Sequence, residues 1–438
     1  MIALLLALGI ADTLRVPAGQ PVSDAVRLAR PGAVIVVEPG LHPGNLVVGR
    51  AVSIVGTPGA ILRGDGRGTV VRITAPGVKL AELVVEHSGA DLDADDAGVR
   101  VEADSAVLEN LVIRDVLHGV YLKAVKDVAI RGSVIRGRAV VAPNDRGDGI
   151  HFFSSTRIRA EHNDIADVRD GMYFSYSDTT VVRHNTVTRS RYGLHYMFSH
   201  KNRFEDNWFT YSAAGSSIMN SRDVVARRNV FAFNQGVGSF GLLQQTTERT
   251  VLERNAFVGN ATGLFLDGAV DGVVKDNLVA DNFVGLELFG SSTGNVITGN
   301  AVVRNVYPAT GAAGDSRFCD GREGNYWDDD RGWDLDGDGV HDVAYSPATP
   351  LGEVSRQRPA LRLFLVSPAA GLLGWAERAM PVFQLEAVTD HCPLARPAAG
   401  VPAPPPGPVT PTPLAMLVVA GLTFTAGVAL PLLASVRA

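Results

Sequence analysis

Short runs in which every second residue is apolar recur along the middle of the chain, as in Val120-Tyr121-Leu122 and Leu264-Phe265-Leu266. A spacing of two is typical of β-strands and not of helices. Two series of residues, one of asparagines and one of glycines, recur with the same period as these runs. The asparagines are Asn163, Asn185, Asn207, Asn229, Asn255, Asn277 and Asn300, with gaps of 22, 22, 22, 26, 22 and 23 residues. The glycines are Gly98, Gly119, Gly149, Gly171, Gly193, Gly215, Gly238, Gly263 and Gly285.

A period of about 22 residues has room for three short strands and three turns, which is one coil of a parallel β-helix. We therefore predict an all-β, right-handed, single-stranded parallel β-helix of about eleven coils over residues 44–307. The two series are expected at turns, where left-handed backbone is tolerated and asparagine amides stack from coil to coil. A short helix over 22–29, within a capping segment 12–43, is expected to cover the open first coil.

The two ends of the chain differ from the repeat. Residues 1–11 are apolar and resemble a signal peptide. After a post-helix segment, 308–392, a proline-rich linker spans 393–413 and an uncharged stretch spans 414–436. That stretch is long enough to cross a hydrocarbon layer of about 30 Å as a helix. The sequence thus predicts a periplasmic protein anchored in the cytoplasmic membrane by its C-terminal helix.

Composition narrows the choice of partners. A net charge of −6 and a pI near 5.9 argue against nucleic acid as a partner. The only two cysteines, Cys319 and Cys392, exclude a disulfide-rich scaffold and a four-cysteine zinc site. Outside the cytoplasm these two residues are able to form one disulfide.

Side chains at the second and fourth positions after each glycine should point outward, because strand side chains alternate. This outer face holds His195, Met197 and Met219, with His151 or His200 nearby. Imidazole and thioether donors suit Cu(I), and on this spacing the three side chains could converge on one ion. Tyr121, Phe153 and Tyr173 lie on the same face and are the expected docking surface for a partner protein. The alternative, compatible with the first, is an apolar contact patch without metal.

A second cluster consists of acidic residues spaced two apart. Asp334, Asp336 and Asp338 precede Gly339, and Asp342 follows, as in a calcium-binding loop. An EF-hand needs a glutamate six residues after this glycine, where the chain has Tyr345. We therefore exclude an EF-hand and keep two alternatives, a calcium-stapled turn and an acidic turn without metal.

Carbohydrate chemistry is the main alternative function, since β-helices often host it. Asp148 and Asp170 lie one coil apart and could act as an acid–base pair in a polysaccharide lyase, a hydrolase or a uronate epimerase. An aspartate beside a turn glycine is also ordinary turn chemistry. The Asp-Pro-His triplet of β-helix uronate epimerases does not occur in this sequence. We expect no catalytic site in this protein.

Four segments together resemble the NosD family of periplasmic maturation proteins of nitrous oxide reductase. They are Asp-Gly-Met-Tyr-Phe-Ser-Tyr-Ser at 170–177, Tyr-Gly-Leu-His-Tyr-Met-Phe-Ser at 192–199, Gly-Asn-Tyr-Trp-Asp-Asp at 324–329 and Val-Thr-Asp-His-Cys-Pro-Leu at 388–394. The resemblance covers about residues 16–397. It implies a role in copper-cluster assembly, together with an ABC-type ATPase and permease, a copper-chaperone lipoprotein and nitrous oxide reductase. On this resemblance we expect the histidine–methionine face to be a Cu(I) transfer surface and the three aromatic residues beside it to dock the copper-donating partner.

Overall fold

The computed structural model describes residues 12–236, 238–347, 372 and 388–407. The predicted signal peptide, 1–11, and the predicted membrane helix, 414–436, lie outside these residues. Within the described part, no helix is both long and apolar enough to cross a membrane. The chain divides into two compact units, Met1–Pro404 and Pro405–Ala438, and the fold described below belongs to the first.

The first unit is a solenoid built from three parallel sheets. The twelve-stranded sheet, called the front sheet below, consists of Leu46–Val48, Val71–Ile73, Ala97–Val101, His118–Lys123, Ile150–Phe153, Asp170–Ser175, Tyr192–Met197, Ala214–Arg222, Phe240–Glu248, Thr262–Val270, Val284–Leu288 and Tyr307–Gly311.

The other two sheets have thirteen strands each. One consists of Thr13–Val16, Val34–Val37, Ser53–Gly56, Lys79–Ala81, Val107–Glu109, Ala129–Arg131, Arg159–Glu161, Val181–Arg183, Arg203–Glu205, Val225–Arg227, Val251–Glu253, Val273–Lys275 and Val296–Thr298. The other consists of Gly40–Pro43, Ala60–Arg63, Val84–Glu86, Val112–Arg114, Val134–Arg136, Asp164–Ala166, Thr186–Thr188, Trp208–Thr210, Val230–Ala232, Ala256–Val258, Leu278–Ala280, Ala301–Val303 and Tyr326–Trp327.

The right-handed parallel β-helix is confirmed, but the expected eleven coils are too few, because the solenoid makes about 14 turns. Its first strand, Thr13–Val16, already pairs with Val34–Val37. Its last strand, Tyr326–Trp327, pairs with Ala301–Val303. Both lie outside the predicted span 44–307, within which the asparagine and glycine series begin only at Asn163 and Gly98. Rungs at the N-terminal end use valine and isoleucine strands without those markers.

The lumen is filled by the side chains that the alternation predicted. Phe174, Leu194, Tyr196 and Ile218 are buried, and the ring of Phe174 stacks 4.0 Å from that of Phe152. Because neighbouring rungs pair in register, equivalent side chains pack on each other along the axis. One continuous apolar core therefore runs through the solenoid and fixes which side chains face outward.

The asparagine ladder is confirmed as a chain of stacked amides. The Nδ2 of each member donates to the Oδ1 of the next, from Asn163 through Asn300, at 2.8–3.0 Å. Asn325 extends the ladder, and its backbone N–H donates to the buried carboxylate of Asp390 at 2.7 Å. The left-handed backbone expected at the asparagines lies one residue earlier, for instance at His184 with φ of 55°.

With one exception, the predicted glycines occupy equivalent positions in successive coils, for a different reason from the one predicted. A Cβ on Gly171 would lie 2.2 Å from Val187 and 2.6 Å from the carbonyl oxygen of Gly193. These glycines therefore permit close approach of backbone and core rather than a left-handed turn. One assignment was wrong, because Gly241 occupies the ladder position and Gly238 lies in a loop with φ of 71°.

Both ends of the solenoid are covered. The short helix Val22–Leu28 buries Val22 and Val26 at the N-terminal end, as predicted. At the other end a disulfide joins Cys319 to Cys392, 73 residues later. The segment after Cys392 is not a free spacer along its described length. Leu394 forms an antiparallel β-bridge with Val340, and Val401 packs against an apolar cluster that includes Ala256 and Ala280 and is separate from the main core.

Candidate metal-binding face

The outer face of the front sheet presents two columns of side chains near its middle. The first column reads Arg100, Tyr121, His151, Tyr173, His195 and Ser217. The second reads Lys123, Phe153, Ser175, Met197 and Met219. Neighbours in a column lie one rung apart, about 4.8 Å, and neighbours along one strand about 6.7 Å apart. The predicted parity is thus confirmed for this face.

His195 is held by a buried carboxylate. Its Nδ1 lies 2.9 Å from Oδ2 of Asp170, whose side chain is fully buried. The guanidinium of Arg191 donates two hydrogen bonds to the same carboxylate, at 2.9 and 2.6 Å. Because an ionised carboxylate only accepts hydrogen bonds, Nδ1 of His195 must carry the proton. A neutral ring in this tautomer has its lone pair on Nε2, which is the usual arrangement of a metal-binding histidine.

The same motif occurs one rung earlier, around Asp148. This buried carboxylate accepts hydrogen bonds from His151 Nδ1 at 2.8 Å and from the Arg169 guanidinium at 3.2 Å. Burial raises its pKa, but the bond from His151 and the positive charges nearby outweigh burial and lower the pKa overall. A third ring, His118, lies with its Nδ1 3.6 Å from Oδ2 of Asp148.

His118 is buried and held in one tautomer. Its Nδ1 accepts the backbone N–H of Asp148 at 3.0 Å, so the ring carries its proton on Nε2. Burial lowers the pKa of this imidazole to about 4, although the negative charge of Asp148 acts in the opposite direction. His118 is therefore neutral at neutral pH, and its one ring-nitrogen lone pair, on Nδ1, is engaged by the backbone N–H of Asp148.

The two thioethers of the predicted copper site lie side by side. Met197 and Met219 are direct partners on adjacent strands, and His195 precedes Met197 by two residues on the same face. The hydroxyl of Tyr173 lies 4.0 Å from the Met197 sulfur. All three predicted donors are partly exposed, and the side chain of His195 retains 17% of its accessible surface. One imidazole and two thioethers are thus brought to one place.

The two assisting histidines are not brought there. His151 lies two rungs from His195, and the ring of Tyr173 stands between them, 4.6 Å from His151 and 4.9 Å from His195. His200 lies past the corner of the coil, where its Nδ1 accepts the backbone N–H of Arg222 at 3.2 Å. His151 is thus separated from the two methionines, and Nδ1 of His200 is engaged by the backbone.

Of the three predicted docking residues, Tyr121 does not lie on the free surface. Its side chain points away from the lumen but is only 5% exposed, because Arg100 lies 5.0 Å over the ring and His151 stacks on it at 4.5 Å. Phe153 and Tyr173 are partly exposed. Burial raises the pKa of the Tyr173 hydroxyl, so the residue remains neutral.

A more exposed aromatic pair borders the two methionines. Tyr176 and Phe198 stack at 5.3 Å and are 59% and 38% exposed. Both have left-handed backbone, with φ of 52° and 49°. Bulky residues are uncommon in that conformation, so the turn itself does not favour aromatic side chains there. This pair was not predicted, because Tyr176 and Phe198 each come one residue after a member of the second column and so lie outside the alternating positions.

Other residues of the face also escaped the sequence analysis. His118 directly precedes a ladder glycine, as Asp148 and Asp170 do. This shared position in the repeat is a signal in the sequence that could have revealed it. The residue preceding Asp170 is Arg169, which reaches back one rung to Asp148. Arg191 repeats this reach towards Asp170.

The Asp148–Asp170 pair proposed for carbohydrate chemistry has other tasks in the structure. Both carboxylates are fully buried. Asp148 is contacted by Arg169, His151 and His118, and Asp170 by Arg191 and His195. A general acid must hold a proton near neutral pH, whereas the lowered pKa of Asp148 keeps that group ionised. The arrangement is suited to positioning imidazoles.

In the acidic loop, one carboxylate oxygen from each of Asp334, Asp336 and Asp338 lies within 4.8 Å of the others. Their oxygens accept backbone N–H groups of the same loop. Asp334 takes those of Gly337 and Gly339 at 2.8 and 3.0 Å, and Asp342 takes that of Leu335 at 2.8 Å. Hydrogen bonds within the turn account for these side chains, and no observation here supports calcium.

Residues 131–332 match the family model described as "Periplasmic copper-binding protein (NosD)". Two proteins named "Probable ABC transporter binding protein NosD" are each 35% identical to this chain. The Stutzerimonas stutzeri protein aligns over 81% of this chain and 85% of its own length. The Pseudomonas aeruginosa protein aligns over 83% and 89%.

Among solved structures, the Streptococcus pneumoniae surface protein and adhesin PfbA superposes with a TM-score of 0.51 at 10% identity. The match covers 67% of this chain and 92% of that protein. At such low identity the likeness concerns the fold alone.

Proposed function

This chain belongs to the NosD family, and from that premise we propose that it is a periplasmic accessory protein for copper-cluster assembly of nitrous oxide reductase. In this proposal it accepts or passes copper together with an ABC-type ATPase and permease. A copper-chaperone lipoprotein and nitrous oxide reductase are the further partners. The predicted helix over 414–436 would hold the protein at the cytoplasmic membrane.

The observation that carries the proposal is the donor set formed by His195, Met197 and Met219. His195 is oriented through Asp170, and the two thioethers occupy paired positions on adjacent strands. Soft donors of this kind suit Cu(I), and thioethers bind without having to lose a proton. Three donors on a partly exposed face leave one side of the ion open. An incompletely coordinated ion can be handed to a partner, whereas a closed site would retain it.

Docking of the copper-donating partner would use the aromatic residues beside this donor set. Phe153 and Tyr173 lie in the two columns, and Tyr176 and Phe198 form the exposed stacked pair next to Met197. Partly exposed aromatic side chains are enriched where proteins meet. Tyr121 is covered and takes no part in this surface.

The protein acts in this proposal without a catalytic site of its own. Asp148 and Asp170 position histidines rather than acting as acid and base. A carbohydrate-active enzyme remains the alternative, and it predicts that replacing these two aspartates abolishes turnover of a polysaccharide such as alginate or polygalacturonate. Our proposal predicts that the unmodified protein does not turn over these polymers.

The decisive experiment removes the soft donors and keeps the apolar area. In cells that produce nitrous oxide reductase, the double variant Met197→Leu and Met219→Leu should yield a reductase that lacks its copper clusters. The matched control is Met172→Leu, which removes a thioether from the lumen, where the side chain is fully buried. Its reductase should be loaded normally.

The same assay separates copper binding from docking. Normal loading with the Met197→Leu/Met219→Leu protein, together with loss of loading in Phe153→Ala or Tyr173→Ala, would leave only a docking surface. The copper assignment would then be abandoned. Circular dichroism of each purified variant checks that the solenoid is folded.

A further inference from the structure

The histidine that is too far from the soft donors belongs to a different group. His151 faces His118 one rung earlier, with ring centroids 5.5 Å apart and the planes perpendicular. Both rings lie against the carboxylate of Asp148. One donor atom from each of these three residues lies within 4.8 Å of the others. The three residues are defined here as the His118 cluster.

The cluster has dimensions that suit a single metal ion. Nδ1 of His118 and Nδ1 of His151 lie 3.6 and 2.8 Å from the same carboxylate oxygen, Oδ2 of Asp148. A square-planar ion with donors about 2.0 Å away separates adjacent donors by roughly 2.8 Å and opposite donors by roughly 4.0 Å, a range that includes both distances. Only small side-chain movements are needed to admit an ion. It would replace the backbone bond on His118 and the hydrogen bond between His151 and Asp148.

We propose that His118, Asp148 and His151 form a second metal site, which takes a divalent first-row transition ion and prefers Cu(II). Two imidazoles and a carboxylate form a harder donor set than one imidazole and two thioethers. Among the divalent ions, Cu(II) binds nitrogen and oxygen ligands most tightly. The front sheet would thus hold two sites that differ in the oxidation state of copper they prefer. This inference does not depend on the proposed Cu(I) transfer function.

The surroundings are those of a built site rather than a chance surface cluster. His118 is 3% exposed and Asp148 fully buried, while the side chain of His151 keeps 12% of its surface and gives access to solvent. Arg169 supplies a positive charge that balances the carboxylate. Tyr121 stacks on His151 and makes a T-shaped contact with His118, so it packs against both rings.

The test is titration of the metal-free, full-length protein with Cu(II) alone, followed by electron paramagnetic resonance. The unmodified protein should show a Cu(II) signal with superhyperfine splitting from two nitrogens. The variant His151→Gln should show one nitrogen and at least a tenfold weaker Cu(II) affinity. The double variant His118→Gln/His151→Gln should lose the site. Since His118 is buried, thermal unfolding checks whether the double variant is folded. The test does not depend on that variant, because His151 is partly exposed and His151→Gln alone should change the signal.

Two controls distinguish this site from the other histidines. The variant His162→Gln/His184→Gln removes a stacked pair of exposed rings on another part of the solenoid and should leave the spectrum unchanged. The variant Met197→Leu/Met219→Leu should also leave it unchanged, even if Cu(I) binding is lost. An unaltered two-nitrogen signal in His151→Gln, or its loss in either control, would overturn the proposal.

Discussion

Replacing one buried asparagine of the ladder should destabilise the solenoid far more than replacing an accessible one that makes as many bonds. Asn229 lies in the middle of the ladder and is buried. Its Oδ1 accepts the backbone N–H and the Nδ2 of Asn207, at 3.0 and 2.9 Å. Its own Nδ2 donates to the carbonyl of Phe204 and to Oδ1 of Asn255.

The variant Asn229→Ala removes all four hydrogen bonds and strands several buried partners. Both donors of Asn207 and the carbonyl oxygen of Phe204 lose an interaction in a place that water does not reach. A buried polar group left without a partner costs about 1–3 kcal/mol. Three such groups, with some local relaxation, predict a loss of about 3–6 kcal/mol in the free energy of unfolding.

Asn305 is the matched control because it also makes four hydrogen bonds, at the end of a second ladder, but is only half-buried. Water can replace its side chain, so Asn305→Ala should cost about 1 kcal/mol. Equilibrium unfolding in urea, followed by circular dichroism, measures both losses. Equal losses in the two variants would refute the argument that burial sets the strength of the ladder.

Three further predictions follow from other parts of the structure. In the folded protein the pKa of His118 is lowered to about 4, so as pH falls this histidine is protonated in the unfolded chain before it is protonated in the folded one. Stability should therefore decline between about pH 6.5 and pH 4, by up to about 3 kcal/mol, and His118→Gln should abolish this decline in urea unfolding. Replacing Cys319 and Cys392 by Ser removes the disulfide that closes a loop of 73 residues, and should lower the free energy of unfolding by about 4 kcal/mol. Hydrogen exchange should become faster at Tyr326–Trp327, near the disulfide, but not at the first strand. If calcium occupies the acidic loop, Asp336→Ala should lower the melting temperature only when calcium is present, and an equal loss in chelator would assign the carboxylates to the turn alone.

The sequence predicted the architecture well because period and parity are properties of the chain itself. Alternation placed Phe174 and Tyr196 in the lumen and His195 and Met197 outside, and the structure agrees. The number of turns was underestimated because the first rungs lack the asparagine marker. Pattern also cannot reveal close packing, so the reason for the ladder glycines emerged only from their distances to the next rung.

The candidate site was predicted in part. Adjacent rungs brought His195, Met197 and Met219 together, since register follows from the repeat. The grouping of His151 with His118 was not foreseen. It depends on the conformations that bring both rings to the carboxylate of Asp148. The covering of Tyr121 by Arg100 likewise depends on side-chain conformation, which periodicity does not determine.

The central claim, that His195, Met197 and Met219 bind Cu(I), is tested most directly by X-ray absorption spectroscopy of the Cu(I)-loaded, full-length protein. We predict a copper environment with two sulfur scatterers and one imidazole. Both sulfur contributions should disappear in the variant Met197→Leu/Met219→Leu and persist in Met172→Leu. A copper environment of nitrogen and oxygen alone, or a sulfur signal unchanged in the double variant, would contradict the account.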